Sequence, residues 1–290
     1  MRILQLNIWA RFGPYRTREP LLRKLFAELA PDLIAMQEVD IAPDGGNQAA
    51  ELLEGLAYDV AHEPMGKDRT EPGIAIASRY PIGPVQVKSL GHDGLAIAAR
   101  ITIGQQQLWF CSAVPLSWLP GFEGQREDEC VVLDEWLTGL AADDAIPPIL
   151  AGDFDATPEA ASIRFLTGLQ SLQARSTFWT DACAVAGGDS PGHTWSTSSP
   201  YVQPFAEAIF AEPIHHRRID YVFVGSPIRW KPRLVVRSCR VVGVEAEGAA
   251  PSDHYGVLAE IELDGDTVGR GGGLETWDEA AREIWPVHGS

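Results

Sequence analysis

The sequence predicts an α/β (α+β) fold in which packed mixed β-sheets are covered by helices. The first observation is that strand-like apolar runs outnumber helical patterns along the chain. The second is that alternating and continuous apolar strands both occur, which is typical of mixed sheets with one or both faces covered. The third is that 290 residues with 45 % hydrophobic content suffice to bury a large core.

Nine segments have the length and composition of strands. They are Ile3–Ile8, Leu33–Val39, Gly73–Ser78, Leu95–Ile103, Gln107–Val114, Ile149–Gly152, Asp220–Val224, Leu234–Val242 and Gly256–Leu263. The first of them lies in an N-terminal stretch that alternates apolar and polar residues, so it reads as a strand and not as a signal peptide. No run of 18 apolar residues occurs, so no transmembrane segment is predicted.

Helical patterns lie between some of these strands. One apolar face is formed by Leu21, Leu22, Leu25, Phe26 and Leu29, and another by Val132, Leu133, Trp136, Leu137 and Leu140. Thr157 followed by Pro158 predicts the N-cap and first position of a third helix, which continues through Leu166.

The composition changes after residue 263, which predicts two parts, 1–263 and 264–290. Asp264–Leu274 contains five glycines and is interpreted as a linker. Thr276–Glu279 has capping-box spacing, and Trp277 and Trp285 fall on one face of the short C-terminal helix that it would open.

Charge and cysteine content restrict the partners and the compartment. Lys and Arg total 23 against 40 Asp and Glu, a net charge of −17, whereas binding to duplex nucleic acid usually needs a basic face. The four cysteines are far apart and lack CxxC spacing, which argues against a zinc site and a disulfide framework and favours a reducing cytoplasm. They are Cys111, Cys130, Cys183 and Cys239.

The segment from Arg2 to Lys24 is basic, although the chain as a whole is acidic. It contains a single acid, Glu19, and six basic residues: Arg2, Arg11, Arg16, Arg18, Arg23 and Lys24. The segment is either a solvated loop and helix face or a phosphate-attracting rim.

Polar side chains stand at the ends of five apolar strands, where a rigid scaffold can present a chemical site. They are Asn7, Glu38, the pair Asp153 and Asp155, Asp220, and the pair Asp253 and His254. Two carboxylates two residues apart in a loop that leaves a buried strand suit a hard cation with oxygen ligands. Each feature alone is common on ordinary surfaces, and only the order and spacing of the whole set indicate a site.

The motifs that carry this set are LNIW, QEV, GIAIASRYPI, GDFDATP, RRIDYVFV and SDHYGV. In this order they resemble the endonuclease/exonuclease/phosphatase superfamily, which is DNase I-like, over residues 1–263. The resemblance implies a four-layer sandwich of two mixed sheets packed face to face, with helices outside and the site at one end.

The resemblance also implies a metal-dependent phosphoesterase. Glu38, helped by Asn7, would hold Mg²⁺ or Mn²⁺, and Asp253 would lie near the metal. The ion would polarise a phosphoryl oxygen and offset the charge on the leaving oxygen.

The remaining roles concern the water and the substrate. Asp153 would orient or deprotonate the attacking water, His254 would contact the phosphate or act as acid or base, and Asp220 would fix the imidazole. Arg218 and Trp195 are the predicted substrate contacts.

The sequence departs from the family pattern at two places. Pro115 stands where many members have histidine, and Asp155 stands where the GDFN motif has asparagine. An asparagine amide donates a hydrogen bond to phosphate, whereas an ionised aspartate only accepts. A second metal shared with Asp153, a protonated Asp155 or a different substrate pose would each accommodate the change. Glu71 is a weaker candidate, because related nucleases use an acid near this position to support the missing histidine.

These observations predict hydrolysis of a phosphodiester or phosphomonoester by metal-activated water. A small-molecule or lipid-headgroup phosphoester is favoured over nucleic acid by the acidic charge, and no protein partner is indicated. A binding protein with weak or no catalysis, and a nuclease, are the alternatives.

Overall fold

The computed structural model describes residues 1–42, 45–66, 71–115, 121–212, 214–227, 229–230, 233–244 and 248–264. The strands in this part are β1 (Arg2–Asn7), β2 (Leu33–Val39), β3 (Asp59–Met65), β4 (Glu71–Ser78), β5 (Ile82–Gly91), β6 (Gly94–Ile103), β7 (Gln106–Val114), β8 (Ile149–Asp153), β9 (Trp179–Asp181), β10 (Trp195–Ser196), β11 (His216–Arg217), β12 (Asp220–Gly225), β13 (Arg233–Val242) and β14 (Gly256–Asp264). The helices are α1 (Tyr15–Leu29), α2 (Gln48–Leu52), α3 (Glu123–Leu140), α4 (Ala161–Leu166), α5 (Ala182–Ala186) and α6 (Val202–Phe210).

Two six-stranded sheets form the centre of the molecule. The first has the strand order β13-β14-β1-β2-β4-β3 and the second β5-β6-β7-β8-β12-β9. In each sheet one central pair is parallel, β1 with β2 and β7 with β8, while the other pairs are antiparallel. The predicted mixed sheets are therefore confirmed, and β10 and β11 form a separate two-stranded ribbon.

Period-two alternation along the strands produces four layers. In β1, Ile3 faces the second sheet, whereas Leu4 and Leu6 face α1 and α2 on the outside. In β12, Val222 faces the first sheet, and Phe223 packs outward with α3 and α4. The sheets thus share one apolar interior, and each covers a second core under its own helices, as the predicted sandwich requires.

The interior between the sheets becomes polar at one end. Three hydrogen bonds between buried side chains join the two sheets there: Gln5 Nε2 to Asp220 Oδ1 at 2.6 Å, Asn7 Nδ2 to Asp153 Oδ2 at 3.0 Å, and Gln37 Nε2 to Ser112 Oγ at 3.0 Å. Gln5 and Asn7 lie on the same face of β1 as Ile3, so the alternation that builds the core also delivers polar groups to this end.

All nine predicted strands are present, with ends shifted by up to two residues. Three strands of the large sheets were not predicted, and all three, β3, β5 and β9, lie at sheet edges. An edge strand has one neighbour and retains exposed positions, so its apolar pattern is weak. The two-residue strands β10 and β11 are too short to produce a pattern.

The predicted helices at 21–29 and 132–140 are confirmed within α1 and α3. The start of the third is wrong. Ala160 precedes α4 as its N-cap, and its N–H donates to the Thr157 carbonyl, so 157–160 form a turn before the helix. In this turn the Ala160 N–H and the Thr157 carbonyl bond to each other, and the helix begins only after them.

Cys183 and Cys239 form a disulfide bond, which corrects the expectation of unpaired cysteines. Their Cα atoms are 4.9 Å apart, although 56 residues separate them in the chain. The bond links α5 to β13, and only the fold brings these two elements together. Cys111 and Cys130 are free and buried. The cysteine content therefore no longer supports a reducing compartment.

Arg18 from α1 is fully buried and fastens two loops beside the polar end of the interior. Its guanidinium donates to five backbone carbonyls, those of Ile8, Trp9, Ala10, Phe12 and Pro251. Four of these carbonyls belong to the loop after β1, and the fifth belongs to the loop before β14. Arg18 is thus neither a solvated residue nor a phosphate-attracting one, because its rigid fork of donors is used inside the fold.

The predicted linker and C-terminal helix lie outside the described residues. Within the described part of the chain, no helix is both long enough and apolar enough to cross a membrane.

Replacing Arg18 with methionine tests the role of this buried guanidinium. We expect Arg18→Met to lower the free energy of unfolding by about 3–5 kcal/mol, because five carbonyls, three of them in buried hydrogen bonds, lose a charged donor. Urea denaturation measures the change. The exposed Arg16 on the same helix gives the matched control, and Arg16→Met should stay within about 0.5 kcal/mol of the parent. Equal effects of the two substitutions would contradict the role given to Arg18.

Candidate functional site

A cavity of about 290 Å³ opens at the polar end of the sandwich. One side, which we call the acidic floor, consists of Glu38, Asp153, Asp155, Asp253 and His254. The other side, which we call the aromatic wall, consists of Trp9, Trp195, Tyr201, Phe205 and Phe210. Val202, Arg217 and Ile219 complete the lining.

His254 is fixed by a carboxylate beneath the cavity. Its Nδ1–H donates to Asp220 Oδ2 at 3.0 Å, because a carboxylate can only accept. Gln5 donates to the other oxygen of Asp220, so both oxygens have partners. Nε2 of the same ring lies 3.8 Å from Asp153 Oδ2. The imidazole therefore presents Nε2 to the cavity, as the sequence predicted when it gave Asp220 an orienting role.

Asp153 and Asp220 reach the site from neighbouring antiparallel strands. They are direct partners in the register between β8 and β12, and both side chains face the first sheet. Asp153 accepts hydrogen bonds from the Asn7 amide at 3.0 Å and from the Asp155 backbone N–H at 3.1 Å. Its carboxylate is held firmly at the cavity floor.

Glu38 reaches the floor through a distortion of β2. Simple alternation would point it away from the second sheet, because Gln37 points toward that sheet. The pairing of β2 with β4 shifts register between Gln37 and Val39, and Glu38 has a φ of 51°. A bulge of this kind re-aims a side chain, and the left-handed conformation marks backbone strain at a functional position.

Asn7 connects Glu38 to Asp153. Its Nδ2 donates to Glu38 Oε1 and to Asp153 Oδ2, both at 3.0 Å, and its Oδ1 accepts from the Trp9 N–H. The amide thus orients two carboxylates, and its predicted part in holding a metal with Glu38 stays a prediction.

Asp253 is held by the residue before it. Ser252 Oγ donates to the Asn7 carbonyl at 2.7 Å and lies 3.2 Å from Asp253 Oδ1. The loop that carries Asp253 and His254 is thus tied to the end of β1, and Arg18 fastens it again through Pro251.

Burial and mutual repulsion shift the proton affinities of these acids. Burial first, and then Asp253, raise the pKa of Glu38 to about 7. Burial also raises the pKa of Asp220 and Asp253. Buried carboxylates this close together favour either protonation or a bound cation.

The same acids favour the protonated form of His254. Burial alone would lower its pKa, but Asp220, Asp153 and Asp253 together outweigh burial and raise it well above the ordinary value. The ring therefore carries a positive charge at neutral pH and offsets part of the negative charge of the floor.

Asp155 has an unusual backbone and environment. Its φ is 48°, and its carbonyl accepts from Arg217 Nη2 at 2.6 Å. Burial and the neighbouring Asp153 raise its pKa well above the ordinary value. The side chain lines the cavity, where an asparagine would place an uncharged donor.

The structure brings Arg217, and not Arg218, to the cavity. Arg218 forms an ion pair with Asp181 at 2.7 Å and lies over the ring of Tyr221, 4.7 Å from its centroid. The two arginines are adjacent on a strand-like segment and point to opposite sides, so the sequence could not distinguish them without the register. Trp195, the other predicted substrate contact, does line the cavity.

Two positions singled out in the sequence, Pro115 and Glu71, do not line the cavity, and neither does His215. Pro115 is buried directly after β7 and offers no side-chain donor. Glu71 is exposed at the start of β4. His215 faces Glu212 and the ring of Phe210.

Two supporting residues escaped the sequence analysis. Gln5 anchors Asp220, and Thr194 Oγ1 accepts the backbone N–H groups of Ile219 and Asp220. The alternation of Ile3, Gln5 and Asn7 along β1 was the available signal for Gln5. No comparable pattern marks Thr194.

The floor suits a divalent cation. Asp153, Asp220 and His254 place ligand atoms within 4.8 Å of one another. However, His254 Nδ1 and both Asp220 oxygens already have hydrogen-bond partners. Glu38 and Asp253 line the cavity, and burial raises the pKa of both, with Asp253 and Asp153 adding to the shift at Glu38. Oxygen donors with excess negative charge are the ligands that Mg²⁺ and Mn²⁺ prefer.

A family model described as "Endonuclease/Exonuclease/phosphatase family" matches residues 4–254. No curated protein sequence is significantly similar to the chain. Solved structures with the same fold include the human Nocturnin catalytic domain with bound sulfate, at 20 % identity and a TM-score of 0.67 over 91 % of this chain and 93 % of that one.

Two further structures match equally well. A D. rerio TDP2 complexed with single-strand DNA product has 17 % identity and a TM-score of 0.68, covering 91 % of this chain and 99 % of that one. A Bacteroides thetaiotaomicron mannosyl-6-phosphatase has 17 % identity and a TM-score of 0.69, covering 91 % and 100 %. These similarities establish the DNase I-like four-layer fold.

Thermal unfolding with divalent cations tests the floor as a metal site. We expect saturating Mn²⁺ or Mg²⁺ to raise the Tm by about 5 °C at pH 8. The rise should be smaller at pH 5.5, because Glu38, with a pKa raised to about 7 from 4.5, is then protonated and a proton competes with the cation. Without metal, stability should fall as pH rises between these two values, since the unfolded chain releases the Glu38 proton first.

Matched substitutions locate the effect. Glu38→Gln should abolish most of the cation-induced rise in Tm and flatten its dependence on pH. Glu71→Gln makes the same chemical change at an exposed position and should leave the rise intact. An undiminished rise in the Glu38 variant would place the cation elsewhere.

Proposed function

The chain belongs to the endonuclease/exonuclease/phosphatase family, and from this premise we propose that it hydrolyses a phosphoester by direct attack of water, with Mg²⁺ or Mn²⁺ as cofactor. The observation that carries the proposal is the convergence of Glu38, Asp153, Asp253 and His254 on one cavity floor. The fold similarity alone does not specify an activity.

Glu38 and Asp253 would hold the cation, and Asn7 would keep Glu38 in position through its amide hydrogen bond. When bound, the cation supplies a Lewis acid that polarises the phosphoryl oxygen and offsets charge on the leaving oxygen. The crowding of carboxyl groups at the floor supports this assignment.

Asp153 is the proposed water-orienting group. Asn7 and the Asp155 N–H hold its carboxylate at the floor, beside His254 Nε2. A carboxylate fixed in this way can accept a hydrogen bond from water and align its lone pair with the phosphorus atom. It can also take up the proton that the water loses during attack.

His254 is the proposed phosphate contact. Asp220 holds Nδ1, so Nε2–H of the charged ring can donate to a phosphoryl oxygen and stabilise the charge that develops there. Arg217 supplies the second cationic group at the cavity. No side-chain nucleophile is needed, because water attacks directly.

We propose a small-molecule or lipid-headgroup phosphoester as the substrate, in preference to nucleic acid. Among the cavity-lining residues that the structure describes, Arg217 is the one arginine or lysine, whereas a nucleic-acid backbone needs many cationic contacts. Of the structural neighbours, one is titled a mannosyl-6-phosphatase and another contains a DNA product. The charge of this cavity favours the former type of substrate.

Hydrolysis of an aryl phosphodiester and its monoester tests the activity. We expect turnover that requires Mg²⁺ or Mn²⁺ and falls by about 10²–10⁴-fold in Asp153→Asn and His254→Gln. Retained turnover in both variants would remove these residues from the mechanism. Cation binding without turnover on either ester would favour the alternative of a binding protein, which Pro115 and Asp155 motivate.

Replacing Asp155 with asparagine tests the departure from the family pattern. We expect Asp155→Asn to raise kcat/KM by up to about tenfold, roughly 1.4 kcal/mol, because an amide supplies a donor for phosphate at every pH, whereas the Asp155 carboxyl group can donate only when it is protonated. Steady-state kinetics at several pH values measure the effect. A fall of a hundredfold or more would show instead that the Asp155 carboxyl group itself takes part.

A further inference from the structure

The aromatic wall has no role in the mechanism proposed above. It faces the acidic floor across one cavity, and its five rings come from the loop after β1 and from the segment between β10 and α6. A hydrolytic centre needs charged and polar groups, so the rings require a separate explanation.

The wall is a built surface with fixed ring geometry. The Trp195 ring is buried and meets Phe205 edge-on at 5.9 Å and Phe210 at 6.3 Å. Trp195 also belongs to a small core with Val202, Ala206 and Ile219. Trp9 lies 5.4 Å from Tyr201, and the Arg18 guanidinium sits 4.6 Å from the Trp9 ring. These contacts give the rings of the wall defined positions relative to one another.

The apolar surface continues beyond the cavity. Phe205 is 37 % exposed, and Ile209, one turn later on α6, is 50 % exposed. Val202 and Ala206 are buried and lie on the same face of α6, at the i, i+3, i+4, i+7 spacing that also includes Phe205 and Ile209. The fold therefore covers only part of this apolar face, and its edge stays exposed beside the cavity.

The wall lies directly beside the proposed reaction centre. Trp195 pairs through its backbone with His254 and, within the β10–β11 ribbon, with Arg217. A substrate group that packs on Trp195 therefore lies close to a phosphate that contacts His254 and Arg217.

The charge of the cavity limits the substrate to one phosphate. The floor contributes four carboxylates, and the lining residues described here include one arginine. A second phosphate would lack a cationic partner and would meet repulsion from the acids. An apolar cavity of about 150 Å³ holds a benzene molecule, so a cavity of about 290 Å³ has room for one ring together with a phosphoryl group.

We infer that the substrate is a phosphoester with a single phosphate and a flat aromatic group attached close to it, and that the aromatic wall binds this group. Edge-to-face rings accept a further ring in the same geometry, which favours an aromatic group over an aliphatic one. The inference rests on the proposed phosphoesterase function and specifies its substrate class.

Matched esters separate recognition from chemistry. Benzyl phosphate, cyclohexylmethyl phosphate and methyl phosphate all release a primary alcohol, so intrinsic leaving-group differences are small. We expect kcat/KM for the benzyl ester to be about a hundredfold higher than kcat/KM for the methyl ester. It should also be about tenfold higher than kcat/KM for the cyclohexylmethyl ester. The corresponding methyl diesters should show the same order if the enzyme prefers diesters.

Variants locate the preference. Phe205→Ala should reduce the benzyl-to-methyl ratio by about tenfold, mainly through the KM for the benzyl ester. Phe178→Ala removes a ring of similar exposure, 42 %, outside this cavity and should leave the ratio unchanged. Equal rates for all three esters would overturn the inference while the phosphoesterase function stands. A cyclohexylmethyl ester as good as the benzyl ester would overturn the aromatic class.

Binding of non-hydrolysable analogues keeps the inference testable without turnover. Trp9 and Trp195 line the cavity, so their fluorescence should report benzylphosphonate, with at least about tenfold tighter binding than methylphosphonate in the presence of Mg²⁺. If no ester is hydrolysed but this difference in affinity is found, the aromatic wall is supported as a binding site and the phosphoesterase function is refuted. If the two phosphonates bind equally, binding of the aromatic group by the wall is refuted.

Discussion

Mutual repulsion among buried carboxylates is the constraint around which this end of the sandwich is built. Glu38, Asp153, Asp220 and Asp253 approach one another from four different strands or loops, and burial together with neighbouring acids raises the pKa of Glu38 and Asp220. The His254 imidazole and several amide and hydroxyl donors offset part of the cost of burying these acids. The cation that we propose would offset the rest.

The aromatic wall and the acidic floor line the same cavity and differ in their chemistry. The floor supplies charge and proton acceptors, and the wall supplies apolar area with defined ring directions. Trp195 is joined to His254 and Arg217 by backbone pairing, so the two halves of the cavity are linked through the main chain. In the function that we propose, this link would hold the aromatic group of the substrate near its phosphate.

The sequence predicted the central strands, the layers and the identity of the acids, because these depend on local alternation and on short motifs. It could not predict how Glu38 reaches the site, since that depends on a bulge opposite β4. It could not tell Arg217 from Arg218, because the register between β10 and β11 decides which one faces inward. Arg18 was hidden for a similar reason: its five carbonyl partners come from two loops that only the fold brings together.

The three polar bonds between the sheets have a mechanical consequence. Apolar contacts between two sheets have no preferred direction, so they define the relative position of the sheets less sharply than hydrogen bonds do. The bonds of Gln5, Asn7 and Gln37 to the opposite sheet are directional, and they lie at the cavity end. The alignment of Asp153 with His254 therefore depends on these three bonds more than on the apolar packing at the far end of the sandwich.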